Sequence, residues 1–160
     1  MEMVSINDKI KLSEHFSLIE CCKTKHKTAD GNIPSHVHIE NLRNICENWL
    51  EDLRYSYHML YGDKGDEGTP VIITSGYRSP EVNRLAGGSP TSNHLTGCAL
   101  DIRCIGKEQM IRYAGILLDI ADGTKRDFDE LRFEQRGPVC WLHFAVRPKD
   151  NRRRISFDMR

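Results

Sequence analysis

Ser92–Asp101, SNHLTGCALD, is the stretch on which the reading of this chain turns. It follows the turn-rich segment GGSPT, residues 87–91, and runs into the alternating residues CALDIRC, 98–104, which spell a strand. His94 stands seven residues before Asp101, with Gly97 between them. An imidazole and a carboxylate on one segment are two of the donors a divalent metal needs.

Strand alternation locates the remaining donors. In CALDIRC the apolar face is Cys98, Leu100, Ile102 and Cys104, which leaves Asp101 on the other face with Ala99 and Arg103. In VCWLHFAV, residues 139–146, Cys140, Leu142, Phe144 and Val146 form the apolar face, and Trp141 and His143 lie opposite. In DELRFE, residues 129–134, Leu131 and Phe133 are apolar, while Glu130, Arg132 and Glu134 point the other way. If all three strands bury their apolar faces on the same helices, Asp101, Glu134 and His143 project from one surface. His94 enters that surface from the preceding loop. Taken singly, each histidine would more often be a structural or core residue. Asp101 between Leu100 and Ile102 is harder to explain away, because a carboxylate inside a half-buried strand needs a partner.

The residue types then suggest the chemistry. A catalytic zinc takes three protein ligands and keeps a position for water. His94, Asp101 and His143 would supply two neutral imidazoles and one anion, leaving a net positive centre that acidifies water and polarises a carbonyl. Glu134, outside the ligand set, could move a proton between that water and a leaving amine. Arg78 could bind a carboxylate or steady an oxyanion with a fixed charge and paired donors.

Around this centre the chain reads as α+β in a single domain spanning 1–160, with a small, mainly antiparallel sheet packed on helices. Ser13 is expected to cap a short helix reaching about Cys22, and residues 23–36 read as a polar loop. Ile39, Leu42, Cys46, Trp49, Leu50, Leu53, Tyr57 and Leu60 recur at spacings of three and four, which predicts one long helix from about His36 to Leu60. His36, His38 and His58 on that helix read as surface or packing residues. YGDKGDEGTP, residues 61–70, reads as a loop, and the β-branched run Val71–Ser75 as a buried strand. The turn GYRSP presents Tyr77 and Arg78, and Pro80 opens a short helix that Gly87 and Gly88 end. A further helix is predicted from about Lys107 to Ala121, then a hairpin of strands 129–134 and 139–146. The basic tail, with Arg152–Arg154, reads as a peripheral, solvated run.

Composition excludes some classes. Lys plus Arg and Asp plus Glu both number 23, so net charge is zero, which argues against a dedicated nucleic-acid or membrane-surface binder. No apolar run approaches the roughly 20 residues of a membrane helix. MEMVSINDKIKLSEHF lacks the basic and apolar regions of a signal peptide, so a cytoplasmic origin is expected, with action at the cell wall after release or export. The six cysteines contain no C-x-x-C pair and read as buried free thiols.

SGYRSP, then S-x-H-x-x-G-x-A-x-D, then a strand carrying W-x-H, resembles the zinc D-Ala-D-Ala carboxypeptidases and related peptidoglycan peptidases (VanY/VanX-like), which share a zinc-site fold with the hedgehog signalling domain. The resemblance spans about residues 71–146. It implies one catalytic Zn2+ held by His94, Asp101 and His143, and a peptidoglycan stem-peptide substrate cut as a carboxypeptidase, dipeptidase or endopeptidase. It also implies that Arg78 contacts substrate and stabilises the transition state. Ser92 would contact substrate or support a ligand, and Tyr77 and Trp141 are expected to line the same subsite. Many relatives carry an acid three residues before the last histidine. Here that residue is Cys140, facing the core; the branch this chain resembles has a strand ending in Glu ahead of the W-x-H strand, here FDELRFE, which makes Glu134 the expected general base. The expected state is a monomer; the rival reading is an inactive, zinc-stabilised binding module for the wall or a protein.

Overall fold

The computed structural model describes residues 9–62 and 70–160. The expected loop at 61–70 therefore lies almost wholly outside the described residues. Five strands form one sheet: β1 Ile73–Ser75, β2 Ala99–Cys104, β3 Glu130–Arg136, β4 Val139–Ala145 and β5 Arg154–Met159. Their order is β1-β2-β4-β3-β5, antiparallel throughout except where β3 and β5 run parallel. With the helices α1 His36–Ile45, α2 Glu51–Tyr61, α3 Pro80–Leu85 and α4 Gly106–Thr124, the architecture is the expected α+β.

The alternation reads out directly in burial. Leu100, Ile102, Leu131, Leu142 and Phe144 are all fully buried on one sheet face, against Leu42, Trp49, Leu53, Tyr113 and Leu117. Burying a side chain of this size contributes about 1.5–3 kcal/mol, which is what holds the face to the helices. The opposite face is therefore left to polar residues. Cys140 is buried on the core side, and all six cysteines are buried free thiols, as their spacing suggested. No helix among the described residues is long and apolar enough to cross a membrane.

Several expectations needed correcting. The helix predicted from Ser13 is instead a tight turn closed by a bridge between Lys11 and Ser17, followed by a 3-10 turn at Glu20–Cys22. Ser17 and Glu20 explain the displacement, because each side chain accepts from the other's backbone N–H at 3.1–3.3 Å, a reciprocal cap four residues late. The long helix begins where expected, capped by Ser35, whose backbone N–H donates to His38 in return. It is interrupted by a π-helical turn at Cys46–Leu50, and Leu60 at its end is exposed. The π turn carries Trp49 into edge contact with Phe144, 5.2 Å between ring centroids. β1 is an edge strand with alternating burial, not a strand buried on both faces. α4 runs through Gly123 and stops at Lys125 in the left-handed conformation.

The largest correction concerns the basic tail. It forms β5, paired in register along β3 from Glu130–Arg154 to Gln135–Met159. Asp129, fully buried, anchors it. Its Oδ1 accepts from the Arg152 backbone and Nε at 3.1 and 2.9 Å, and its Oδ2 from Arg152 Nη2 at 2.7 Å. Burial alone would raise the Asp129 pKa, but the bonds from Arg152 and Asn93 outweigh it and hold the carboxyl well below the usual range. A carboxylate with a depressed pKa stabilises the fold above its unfolded value and loses that contribution as pH falls toward the folded one. Asp129→Asn should therefore lower Tm by about 4 °C at neutral pH. The gap to wild type should begin to narrow below about pH 4 and go on narrowing as pH falls further. Thermal melts across pH read this, and a constant gap down to acid pH would remove Asp129 as the anchor.

Candidate metal centre

The polar face of the sheet is assembled rung by rung. Asp101 on β2 lies directly opposite His143 on β4, and His143 lies opposite Arg132 on β3. His94 arrives from a 3-10 turn, Asn93–Thr96, capped by Ser92, whose Oγ accepts from the His94 backbone N–H at 3.2 Å. Gly97 ends this turn with φ 74°, and a Cβ there would stand 2.5 Å from the His38 carbonyl oxygen. Only glycine satisfies both demands, which accounts for its place between the two metal-ligand candidates.

His94, Asp101 and His143 converge, each at most 6% exposed, and their ligand atoms lie within 4.8 Å of one another. Asp101 Oδ1 is 3.3 Å from His94 Nε2 and 3.3 Å from His143 Nδ1. The outer nitrogens are engaged elsewhere. His94 Nδ1 lies 2.7 Å from the Gly76 carbonyl oxygen, and His143 Nε2 lies 3.2 Å from Glu130 Oε1. Both partners are acceptors, so each ring gives its outer N–H away and turns the other nitrogen's lone pair inward. Two inward lone pairs and a carboxylate oxygen at one point are a donor set that fits a divalent cation such as zinc. Gly76 approaches this closely because it lacks a side chain; a Cβ there would lie 2.1 Å from the Cys21 carbonyl oxygen.

Electrostatics show the same convergence. Burial opposes the charge on Asp101, yet the two histidines outweigh it and hold its carboxyl far below the ordinary range. Burial likewise opposes charge on His143, while Asp101 and Glu130 lift its imidazole to about 9. A bound cation would take the place of that proton.

Around the triad, Arg78 donates Nη2 to Asp101 Oδ2 at 3.3 Å and Nε to Ser75 Oγ at 3.1 Å. Arg78, Ser92, Glu134 and Trp141 line the same cleft as the triad, a space of about 920 Å3. Tyr77 does not join them: it is 5% exposed and stacked on His38 at 4.6 Å, so its expected substrate contact is not made from this position. Glu134 Oε2 accepts from the Trp141 indole N–H at 2.7 Å, opposite it in register.

The residues that sequence reasoning missed surround these. Glu130 accepts from Asn93 Nδ2 at 2.6 Å and Arg132 Nη2 at 3.2 Å as well as meeting His143, whose bond is the chief cause holding its carboxyl at about 2. Asn93 also donates to Asp129 and accepts from Arg147 Nε at 3.0 Å. The one available signal was that Asn93 adjoins His94 in the opening stretch, where a buried amide implies several partners.

Comparison with known proteins adds the family. No curated protein matches the chain. A family model described as Peptidase M15 matches residues 14–118, more than half of the chain. The matched range contains Arg78, Ser92, His94 and Asp101, and ends before Glu130, Glu134 and His143, which the sheet register brings to the same point. With a matching sequence and a His/Asp/His centre on an α+β sheet, this chain belongs to the peptidase M15 family of zinc metallopeptidases.

Proposed function

We propose that this protein hydrolyses peptide bonds in peptidoglycan stem peptides, as a D,D-carboxypeptidase, dipeptidase or endopeptidase, with His94, Asp101 and His143 holding one zinc ion. The convergence of His94 Nε2, Asp101 Oδ1 and His143 Nδ1 in a substrate-sized cleft carries this reading. When bound there, zinc would supply a Lewis acid and a means of deprotonating water near neutral pH.

The chain's own groups perform the rest. Gly76 and Glu130 hold the two imidazoles in the tautomers that present Nε2 and Nδ1 inward. Arg78, beside Asp101 at the cleft wall, offers a fixed positive charge where negative charge develops on the scissile carbonyl oxygen, or where a terminal carboxylate docks. Glu134 takes the proton from the attacking water and returns it to the leaving amine. Trp141 engages one of its oxygens and so fixes the carboxylate's direction. Glu130 is the poorer base, since it already accepts from His143, Asn93 and Arg132 and is held at about 2. Ser92 supports His94 through its backbone and lines the cleft. The substrate would be met at the wall, after release or export.

Mass spectrometry of products from defined muropeptides, with and without chelator, tests this. The expected result is one cleaved stem-peptide bond, lost with the metal and restored by zinc. Binding of muropeptides with no product at any zinc level would favour a binding module instead.

A further inference from the structure

The cleft has a charge that the chain as a whole lacks. Seven arginines line it against four carboxylates, in a protein whose formal net charge is zero. On the β3–β5 side two of these arginines converge on one glutamate. There Arg132 gives Nε to Ser156 Oγ at 3.2 Å and Nη2 to Glu130 Oε2 at 3.2 Å. Arg154 stands opposite Glu130 in the parallel β3–β5 register and reaches the same Oε2 at 3.9 Å, with its side chain 56% exposed. Two guanidiniums thus share one carboxylate oxygen, while Glu130's other oxygen meets His143 and Asn93. One shared anion cannot neutralise two guanidiniums, and Arg154 in particular has donors to spare in a fork suited to a carboxylate.

We infer that Arg132 and Arg154 form a cationic subsite that recognises a carboxylate on the substrate away from the bond being cut, so that the substrate class is an acidic peptide. This rests on the peptidase reading above. The sheet sets the position of the subsite. His143, Arg132 and Ser156 lie on one rung across β4, β3 and β5. At about 4.8 Å per strand spacing, β5 is about 10 Å from the His143 strand. An extended peptide covers about 3.3–3.6 Å per residue, so the recognised carboxylate sits roughly two to three residues from the scissile bond.

The test compares two stem peptides identical except for one side-chain carboxylate, free in one and amidated in the other, two or three residues from the expected cut. Kd for each is measured by calorimetry on the zinc-loaded protein, with turnover followed in parallel. The free carboxylate should bind about tenfold tighter, as for a charge-assisted hydrogen bond, and salt should narrow the difference. Arg154→Gln, at an exposed position, should erase the preference while leaving binding of the amidated peptide unchanged. Equal Kd values for the two peptides in the wild type, or an equal loss for both in Arg154→Gln, would overturn the subsite. A retained tenfold preference without turnover would leave the subsite standing and overturn the peptidase reading instead.

Discussion

Asp101→Asn should leave the protein unable to hold zinc at stoichiometry and should lower turnover about a thousandfold or more, the loss expected when several kcal/mol of charge stabilisation goes with the metal. The substitution keeps the side-chain shape and an acceptor for Arg78, now 3.3 Å from Oδ2, so circular dichroism should stay that of the folded protein. What it removes is the charge at Oδ1, which lies 3.3 Å from each imidazole and is the only anion of the triad. Two neutral imidazoles alone are a weak site. The readouts are metal content after dialysis against limiting zinc and cleavage of a muropeptide. One equivalent of zinc with undiminished turnover would remove Asp101 from the metal centre.

The two glutamates flanking His143 should separate in their effects. Glu134→Gln should lower turnover by about 10²–10⁴-fold with zinc retained, because proton transfer is lost and the ligand set is untouched. Glu130→Gln should instead weaken zinc binding by about 10–100-fold, with turnover recovering as zinc is raised. The difference follows from their partners: Glu130 contacts His143 Nε2 at 3.2 Å, whereas Glu134 is bonded to the Trp141 indole. Zinc titrations of activity for both variants read this out. If Glu130→Gln lost turnover at saturating zinc while Glu134→Gln kept it, the two roles would be exchanged.

That pair marks the boundary between what could be read and what could not. Glu130 and Glu134 are four residues apart on one strand, and alternation puts both on the face of His143. Periodicity has no means of choosing between them. The register does: Arg132 pairs with His143, and the side chains of Glu130 and Glu134 then diverge, one toward His143 and Asn93, the other toward Trp141. The expected substrate contact of Tyr77 failed for a related reason. A residue at a strand's end can turn to either side, and Tyr77 turns to the His38 ring and the core.

By itself the sequence determined the α+β class, the faces of β2, β3 and β4, and the three residues that meet at the candidate metal centre. Those features follow from local periodicity and from donor types, both of which are written along the chain. Only the tertiary structure decided that the basic tail is β5, that Asn32 joins the 22–23 region to the Tyr77 turn by donating to the Cys22 and Tyr77 carbonyls, and that seven arginines gather around one cleft. Strand pairing and burial partners join residues far apart in the chain, so no local pattern records them. Net charge is a sum without positions, and a sum of zero is the same whether charges are scattered or gathered around one cleft.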